Sequence, residues 1–391
     1  MNTRLINGPI NVLRLEGNIN NISKIIYIYM DYHLPINKQL QCNDFSIDIQ
    51  HHFTENLKHI NNNIDFFLEI WPSKLSIKDN IYKGRYIDEV ARFFKKNINH
   101  SKLKKQDIHN KNIIRYHYID IRDVLETTIY QLLLEFLNIV KKNSCNETFP
   151  DIELLNEIKN KLSESYNLIY DITFNEKSYD ETTILPEYKD TYNIIKQYIN
   201  KILFKYKNLN IKSIINNKLY DLVKPYFKKI FNLLDKITEI IDKIKYMNTS
   251  HLKLKHVVIN GNNNYGYGYS LPALRKLLFQ LTEYIDAIDT YSLYLFSKYI
   301  DIFFLRRFLD KEYITTAITY TGSDHSIIYI TILLQEFNFN ITHCSYNKLN
   351  NIMELNNKIK NIKKNYEIKN LLYPPILSQC SNLNNFPQYF N

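Results

Sequence analysis

Through the first third of the chain, apolar positions either alternate with polar ones or run on for five to seven residues. Short strands are predicted there. INVLRL at 10–15 stops at Gly17, and KIIYIYM at 24–30 ends at Asp31-Tyr32-His33. IDFFLEI at 64–70 halts at Trp71-Pro72, and IIRYHYIDI covers 113–121. Between them Ile49, Phe53, Leu57 and Ile60, and later Ile87, Val90, Ala91 and Phe94, recur at helical spacing. From 124 to about 309 the period becomes 3.6, with Leu125, Ile129, Leu132, Leu133, Phe136 and Val140 on one face. Helices are predicted over 152–169, 192–206, 214–244 and 274–308, and Pro225 should break or kink the third of these. Strand character returns in YITTAITY at 313–320, followed by TGSDH, an amphipathic run at 327–337 and NITHC at 340–344.

Strands interleaved with helices define an α/β class, with a mainly parallel sheet flanked by helices. Residues 1–123 and 313–345 form the expected α/β core, and 124–312 a large all-helical insertion or cap. Residues 346–391, rich in Asn and Lys, are expected to be a loosely packed C-terminal tail. NGNNNYGYGY at 260–269 lacks the Lys-Ser/Thr ending of a phosphate-binding loop and reads as a connector.

Composition changes this picture little. The 391 residues are 45% apolar and 23% charged, which excludes disorder as the main state, and 7 Gly, 10 Pro and 4 Cys exclude collagen-like and disulfide-scaffold classes. The net charge of +10 is concentrated: residues 191–248 hold 12 Lys against 4 Asp and Glu. Such a basic face suits nucleic acid, an anionic membrane surface or an acidic partner, and equally a solvated lysine face. Tyr192, Tyr198, Tyr206, Tyr220 and Tyr226 interleave with those lysines, as stacking on bases would require. No run approaches a membrane span, and Met1 to Gly8 lacks the layout of a signal peptide. Cys42, Cys145, Cys344 and Cys380 form no CxxC pair, so neither a zinc knuckle nor a disulfide framework is expected. The expected location is therefore a reducing compartment, cytoplasmic or inside a particle assembled there, and not secreted.

Sites in α/β sheets form where loops leave the carboxyl ends of strands. That rule selects Asp31 and His33, Glu69, Asp120 with Arg122, and Gly322, Asp324 and His325. Glu69 stands among Phe66, Phe67, Leu68 and Ile70, so burial demands a compensating partner: Arg85, Arg122 or a metal. His33 and His325 are candidate acid/base groups or metal ligands. Gly322 allows a positive φ or the close approach of a ligand, with the amides of the following helix favouring an anion. Arg85 is a candidate anion holder. His51, His52 and His59 are set aside, because two helical turns separate the last two.

This ordered set resembles the superfamily of TraB/PrgY proteins, Tiki proteases, ChaN-like haem-binding proteins and erythromycin esterases. Phe67-Leu68-Glu69-Ile70 is similar to its glutamate motif, Tyr118-Ile119-Asp120-Ile121-Arg122 to a later strand, and Thr321 to His325 to its late Gly-x-x-His. Met30-Asp31-Tyr32-His33 keeps the histidine of the first motif but has Met where glycine is expected. The resemblance implies a hydrolase of ester or peptide bonds in a small-molecule or peptide substrate. Glu69, His33 and His325 would be catalytic, or would ligate a divalent metal. Gly322, Asp324, Arg85, Arg122 and Asp120 would contact substrate. The Asn/Ile/Lys/Tyr bias resembles that of proteins from large AT-rich DNA viruses of protists. The competing expectation is a non-catalytic viral or structural protein that binds nucleic acid or protein through 191–248.

Overall fold

The computed structural model of the protein describes residues 4–38, 40–42, 45–60, 62–71, 84–103, 114–122, 127–174, 189–253 and 271–390. The connector at 260–269 lies outside them. The chain divides into two compact units. One is an α/β unit of residues 1–121, 206–214 and 300–391; the other is helical, of residues 122–205 and 215–299.

In the α/β unit, β2 (Asn11–Ile19) and β3 (Ile22–Asp31) form a hairpin across Asn20 and Asn21, whose φ values are 51° and 65°. Asparagine tolerates this left-handed backbone better than most side chains, and a two-residue turn of that hand matches strand twist. β2 runs past Gly17, where its predicted strand stopped, because pairing with β3 continues to Ile19 opposite Ile22; the Phe339 ring covers Gly17, where an added Cβ would overlap it. β5 (Ile64–Leu68), β6 (Ile114–Tyr118), β7 (Thr316–Gly322) and β8 (Asn340–Cys344) complete a six-stranded sheet in the order β6-β5-β7-β3-β2-β8. β6/β5, β5/β7 and β7/β3 pair in parallel, whereas β2 is antiparallel to both β3 and β8. The sheet is thus mixed, and the hairpin is what the strand-plus-crossover reading of the first residues left out.

Helices flank it. α1 (Ile49–Lys58) and α2 (Tyr86–Leu103) bury Phe53, Val90 and Phe94 against Tyr29, Phe66 and Tyr320 on one side. A second sheet joins β1 (Leu5–Asn7) to β4 (Ile47–Asp48) in parallel and to β9 (Cys380–Asn382) antiparallel. The C-terminal residues are packed and not loose: Ile368, Leu372 and Leu383 are buried. The expectation of unpaired cysteines is also corrected, since Cys42 and Cys380, 338 residues apart, are disulfide-bonded. Sequence distance concealed a neighbourhood that the pairing of β1 with β9 creates, and the cysteine argument for a reducing compartment falls with it.

The helical unit holds α3 (Thr127–Asn146), α4 (Ile152–Phe174), α5 (Lys189–Leu203), most of α6 (Leu209–Lys253) and the larger part of α7 (Leu271–Asp310). Its interior is aliphatic, with Leu162, Ile199, Leu219, Ile230, Leu281 and Ile288 buried. Two hydroxyl pairs, Tyr166 with Ser292 and Thr173 with Tyr299 (2.6 Å), tie α4 to α7. Pro225 does not end α6, which continues through it. Pro225 and Asp221, whose carbonyl loses its amide partner there, are both exposed, so water can satisfy that carbonyl.

One buried cation closes the C-terminal end of α7. Lys24, 1% exposed, donates from Nζ to the carbonyls of Phe308 (3.0 Å), Lys311 (2.9 Å) and Ile314 (2.6 Å). Helix ends carry unpaired carbonyls and partial negative charge, and a cation satisfies both. Burial depresses the Lys24 pKa to about 8, against the pull of Asp65, Asp310 and Glu312. Lys24→Met keeps the stem but strands three carbonyls, and is expected to cost about 3 kcal/mol, measurable as a lower urea midpoint with an unchanged slope.

Candidate active site

β3, β5 and β7 are neighbours, and their carboxyl ends meet at one edge of the sheet. Asp31 closes β3 opposite Gly322, which closes β7, and Glu69 follows β5 with its amide bonded to the Tyr320 carbonyl (3.2 Å). Three side chains drawn from distant parts of the chain are thereby brought together. Glu69 Oε1 lies 3.1 Å from His325 Nε2, and Oε2 lies 3.4 Å from His33 Nε2. Oε2 also accepts the Gly322 amide at 2.7 Å.

Each imidazole has a carboxylate behind it. His33 Nδ1 is 2.6 Å from Asp31 Oδ2, and His325 Nδ1 is 2.6 Å from Asp301 Oδ1. The result is a continuous array of Asp31, His33, Glu69, His325 and Asp301. Local structure fixes every member. His33 adopts a left-handed backbone, φ 55°, just beyond β3, which turns its ring back over the strand end. His325 sits in the first turn of α8 (Ser323–Glu336), and Asp301 on α7.

Gly322 is the N-cap of α8 with φ −53°, so the freedom of a positive φ is not what it supplies. It supplies space. A Cβ there would lie 2.9 Å from His33 Nε2 and 3.2 Å from Glu69 Oε2.

The electrostatics follow from the geometry. Burial alone would discharge both rings, but the flanking carboxylates outweigh it. Asp31 and Glu69 raise His33 to about 10, while Glu69 and Asp301 raise His325 to about 10. Burial likewise opposes charge on Glu69, and His325 and His33 overcome it, holding this carboxyl well below the usual range. With both rings protonated, all four ring nitrogens are donors to carboxylates. Among the described residues no group of three or more His, Cys, Asp or Glu has an arrangement that could hold a metal ion. His33 is the accessible member, its side chain 31% exposed against 4% for Glu69 and 10% for His325.

The remaining candidates stand differently. Arg85 bonds to Asp88 (2.9 Å), yet the charges of Asp31 and Glu69 reach it and help to raise its pKa. Asp120 is buried and adds to the negative field on the Tyr329 hydroxyl, alongside Asp301 and Glu69. Asp324 points away from the array: its side chain is 63% exposed and pairs with Lys369 at 2.5 Å. Arg122 belongs to the helical unit. His52, set aside from the sequence, is a core residue bonded to the Tyr29 hydroxyl (2.9 Å), its pKa lowered to about 3 by burial.

Asp301 has a signal that matches that of Glu69 and that strand-end reasoning passes over: a lone acid inside the apolar run from Tyr299 to Leu305. In the basic segment, Lys229 lies over the Tyr226 and Tyr291 rings and Lys236 over Tyr284, while Tyr226 stacks on Tyr294. Those tyrosines are occupied within the helical unit.

What the geometry defines is an α/β protein with one carboxylate held between two carboxylate-backed imidazoles. The chain belongs to a family of unknown function, DUF5847, whose model matches residues 4–391. It is 34% identical over 415 residues to uncharacterized protein R706 of Acanthamoeba polyphaga mimivirus, covering 100% of this chain and 97% of that protein. Uncharacterized proteins R161 and R160 of the same virus are 31% and 33% identical, with at least 98% of each chain covered. No solved structure matches. The viral relatives agree with the compositional likeness, whereas the resemblance to TraB and Tiki proteins gains no support from these matches. No helix among the described residues is long and apolar enough to cross a membrane.

The raised imidazole pKa values set a pH dependence. The unfolded chain releases these protons near 6.5, while the folded chain keeps them to about 10. Their contribution to stability is therefore full below 6.5, declines from there upward and is gone above 10. Glu69 acts at the other limb, since its depressed pKa stabilises above the ordinary glutamate range and that stabilisation is lost in acid. Urea midpoints of the wild type are expected to fall steadily from pH 7 to 10, and His33→Gln or His325→Gln should flatten that slope.

Proposed function

We propose that the chain is a hydrolase of acyl bonds, ester or peptide, working from the Asp31–His33–Glu69–His325–Asp301 array. The observation that carries this reading is the buried Glu69 carboxylate, within hydrogen-bond reach of two imidazoles that are each oriented by an aspartate. Titratable groups with strongly perturbed pKa values, clustered at strand ends, mark functional sites.

The contacts of the array differ in length, and the loosest, 3.4 Å between His33 and Glu69, is also on its exposed side. A water entering there meets Glu69 as the general base. The water oxygen bonds to the acyl carbon as Glu69 takes its proton, and the His33 imidazolium stabilises the oxygen that gains negative charge. Collapse breaks the bond to the leaving group, which departs with the proton held by Glu69. Asp31 and Asp301 keep the rings charged and aimed, and His325 fixes the far oxygen of Glu69. The Gly322 amide orients the base. Arg85 stands where an anionic substrate group can be held. This route uses the rings as cations; a divalent ion would have to replace those protons, and added ion is expected to leave turnover unchanged.

A second reading rests on the exposed Lys224, Lys228, Lys243 and Lys245 of α6 as a nucleic-acid surface. Retention on a DNA column that falls steeply with salt would favour it.

The decisive measurement is turnover of a panel of activated esters and peptides. Glu69→Gln is expected to lower kcat by about 10²- to 10⁴-fold with the fold retained by circular dichroism. Gly322→Ala, which pushes His33 off Glu69, is expected to lower it by about 10²-fold. Equal turnover in wild type and Glu69→Gln would remove the reading.

A further inference from the structure

The loop that leaves His33 is held at its far end by a covalent bond. Beyond β3 the chain passes His33 and runs to Cys42, and Pro35, Ile36, Asn37, Lys38 and Gln41 line an open groove of about 560 Å³ together with Gly84. Ile36 packs against the apolar core of the unit. The Ile36 amide donates to Gly84, and the Cys42 amide to Asn7 Oδ1 (2.8 Å). Other attachments engage the C-terminal segment: Gln379 donates its amide to the Leu40 carbonyl (2.8 Å), Gln41 and Gln379 form a parallel bridge, and Cys42 is bonded to Cys380. The Gln379 carbonyl in turn accepts the Gly8 amide (3.0 Å), so the C-terminal strand is anchored to the core on its other side.

We propose that the Cys42–Cys380 disulfide is a redox-controlled clamp on the His33 loop, and that its reduction by a small dithiol loosens the candidate site while the sheets beneath stay paired.

Three observations carry this. Both cysteines are only partly buried, and their neighbours Leu40 and Phe45 are 62% and 86% exposed, so a small thiol can reach the bond. The pairing of β1 with β9 survives loss of the sulfur bridge, because it is made by backbone groups. On the other side, the left-handed residue that delivers the ring lies nine residues from the clamp, and the described residues between hold only a single 3-10 turn at Ile36–Lys38. Among the described residues between them Ile36 is the point held, by its amide on Gly84 and its packing on the core, so slack released at 40–42 reaches His33 through that point.

The chemistry is ordinary thiol–disulfide exchange. A thiolate of the dithiol attacks one cysteine sulfur, the S–S bond breaks, and the other cysteine leaves as thiolate and takes a proton. The second thiol of the reagent then closes its own disulfide and releases the first cysteine. Two electrons and two protons pass to the protein. Cys344 is a poor competitor, since burial raises its thiol to about 12.

The inference borrows the hydrolase reading only for its activity arm, and its test does not depend on turnover. In the full chain carrying Cys145→Ser, hydrogen exchange at 34–42 and the titrations of His33 and His325 are followed by NMR, oxidised and after dithiothreitol. Reduction is expected to speed exchange at 34–42 at least 10-fold and to bring the His33 titration down toward the ordinary histidine range, by more than any shift of His325. Cys42→Ser with Cys380→Ser should reproduce this, and if that variant does not fold, the reductant titration alone decides. An unmoved His33, equal movement of both histidines, or free thiol at Cys42 in the oxidised chain would each overturn the clamp. Loss of turnover on reduction should accompany the His33 change; a moved His33 in a chain that hydrolyses nothing keeps the clamp and discards the hydrolase.

Discussion

A carboxylate inside a sheet must be paid for in partners, and Glu69 is where that requirement organises the α/β unit. Taking an ionised acid out of water is unfavourable by several kcal/mol unless charge and hydrogen bonds are restored. Glu69 recovers them from two rings and one amide, which arrive from β3, β7 and α8. Those rings, buried in turn, hold their charge only because Asp31 and Asp301 stand behind them. Each group is tolerable because of the next. Removing one member leaves the others as unpaired buried charge, so the array behaves as a unit and not as a sum of pairs.

The same reasoning shows what was legible in the sequence. Glu69 could be found because FFLEI surrounds a charge with apolar side chains, and His33 and His325 because they follow the ends of strands. Asp301 carried an equal signal on a long helix, but helical acids are ordinarily read as solvent-facing, and the rule about strand ends does not reach them. Asp324 was taken for a site residue from its place beside His325. One residue of helical rotation, about 100°, turns it outward to Lys369.

The fold was partly readable for similar reasons. Strand and helix periods are local, so 64–70 and 313–320 declare themselves. Direction is not local. Whether β2 runs with or against β3 depends on two asparagines whose backbone hand no hydrophobic pattern records. The disulfide is the extreme case, because nothing near Cys42 announces a partner 338 residues away. Pro225 misleads in the opposite way: a helix exposed to water on one side can leave a carbonyl unpaired there at little cost.

The position of β7 in the six-stranded sheet has a consequence for synthesis. It lies between β5 and β3, although both are made roughly 250 or more residues before it. Neither can pair with the other in the finished arrangement, so β3, already joined to β2, and β5, already joined to β6, each keep one open edge until residue 322 has emerged. The helical unit, assembled from neighbours in the chain, carries no such delay. A nascent polypeptide of this design therefore spends most of its translation as two part-sheets with facing open edges, and its need for chaperone shelter is greatest before its last quarter is made.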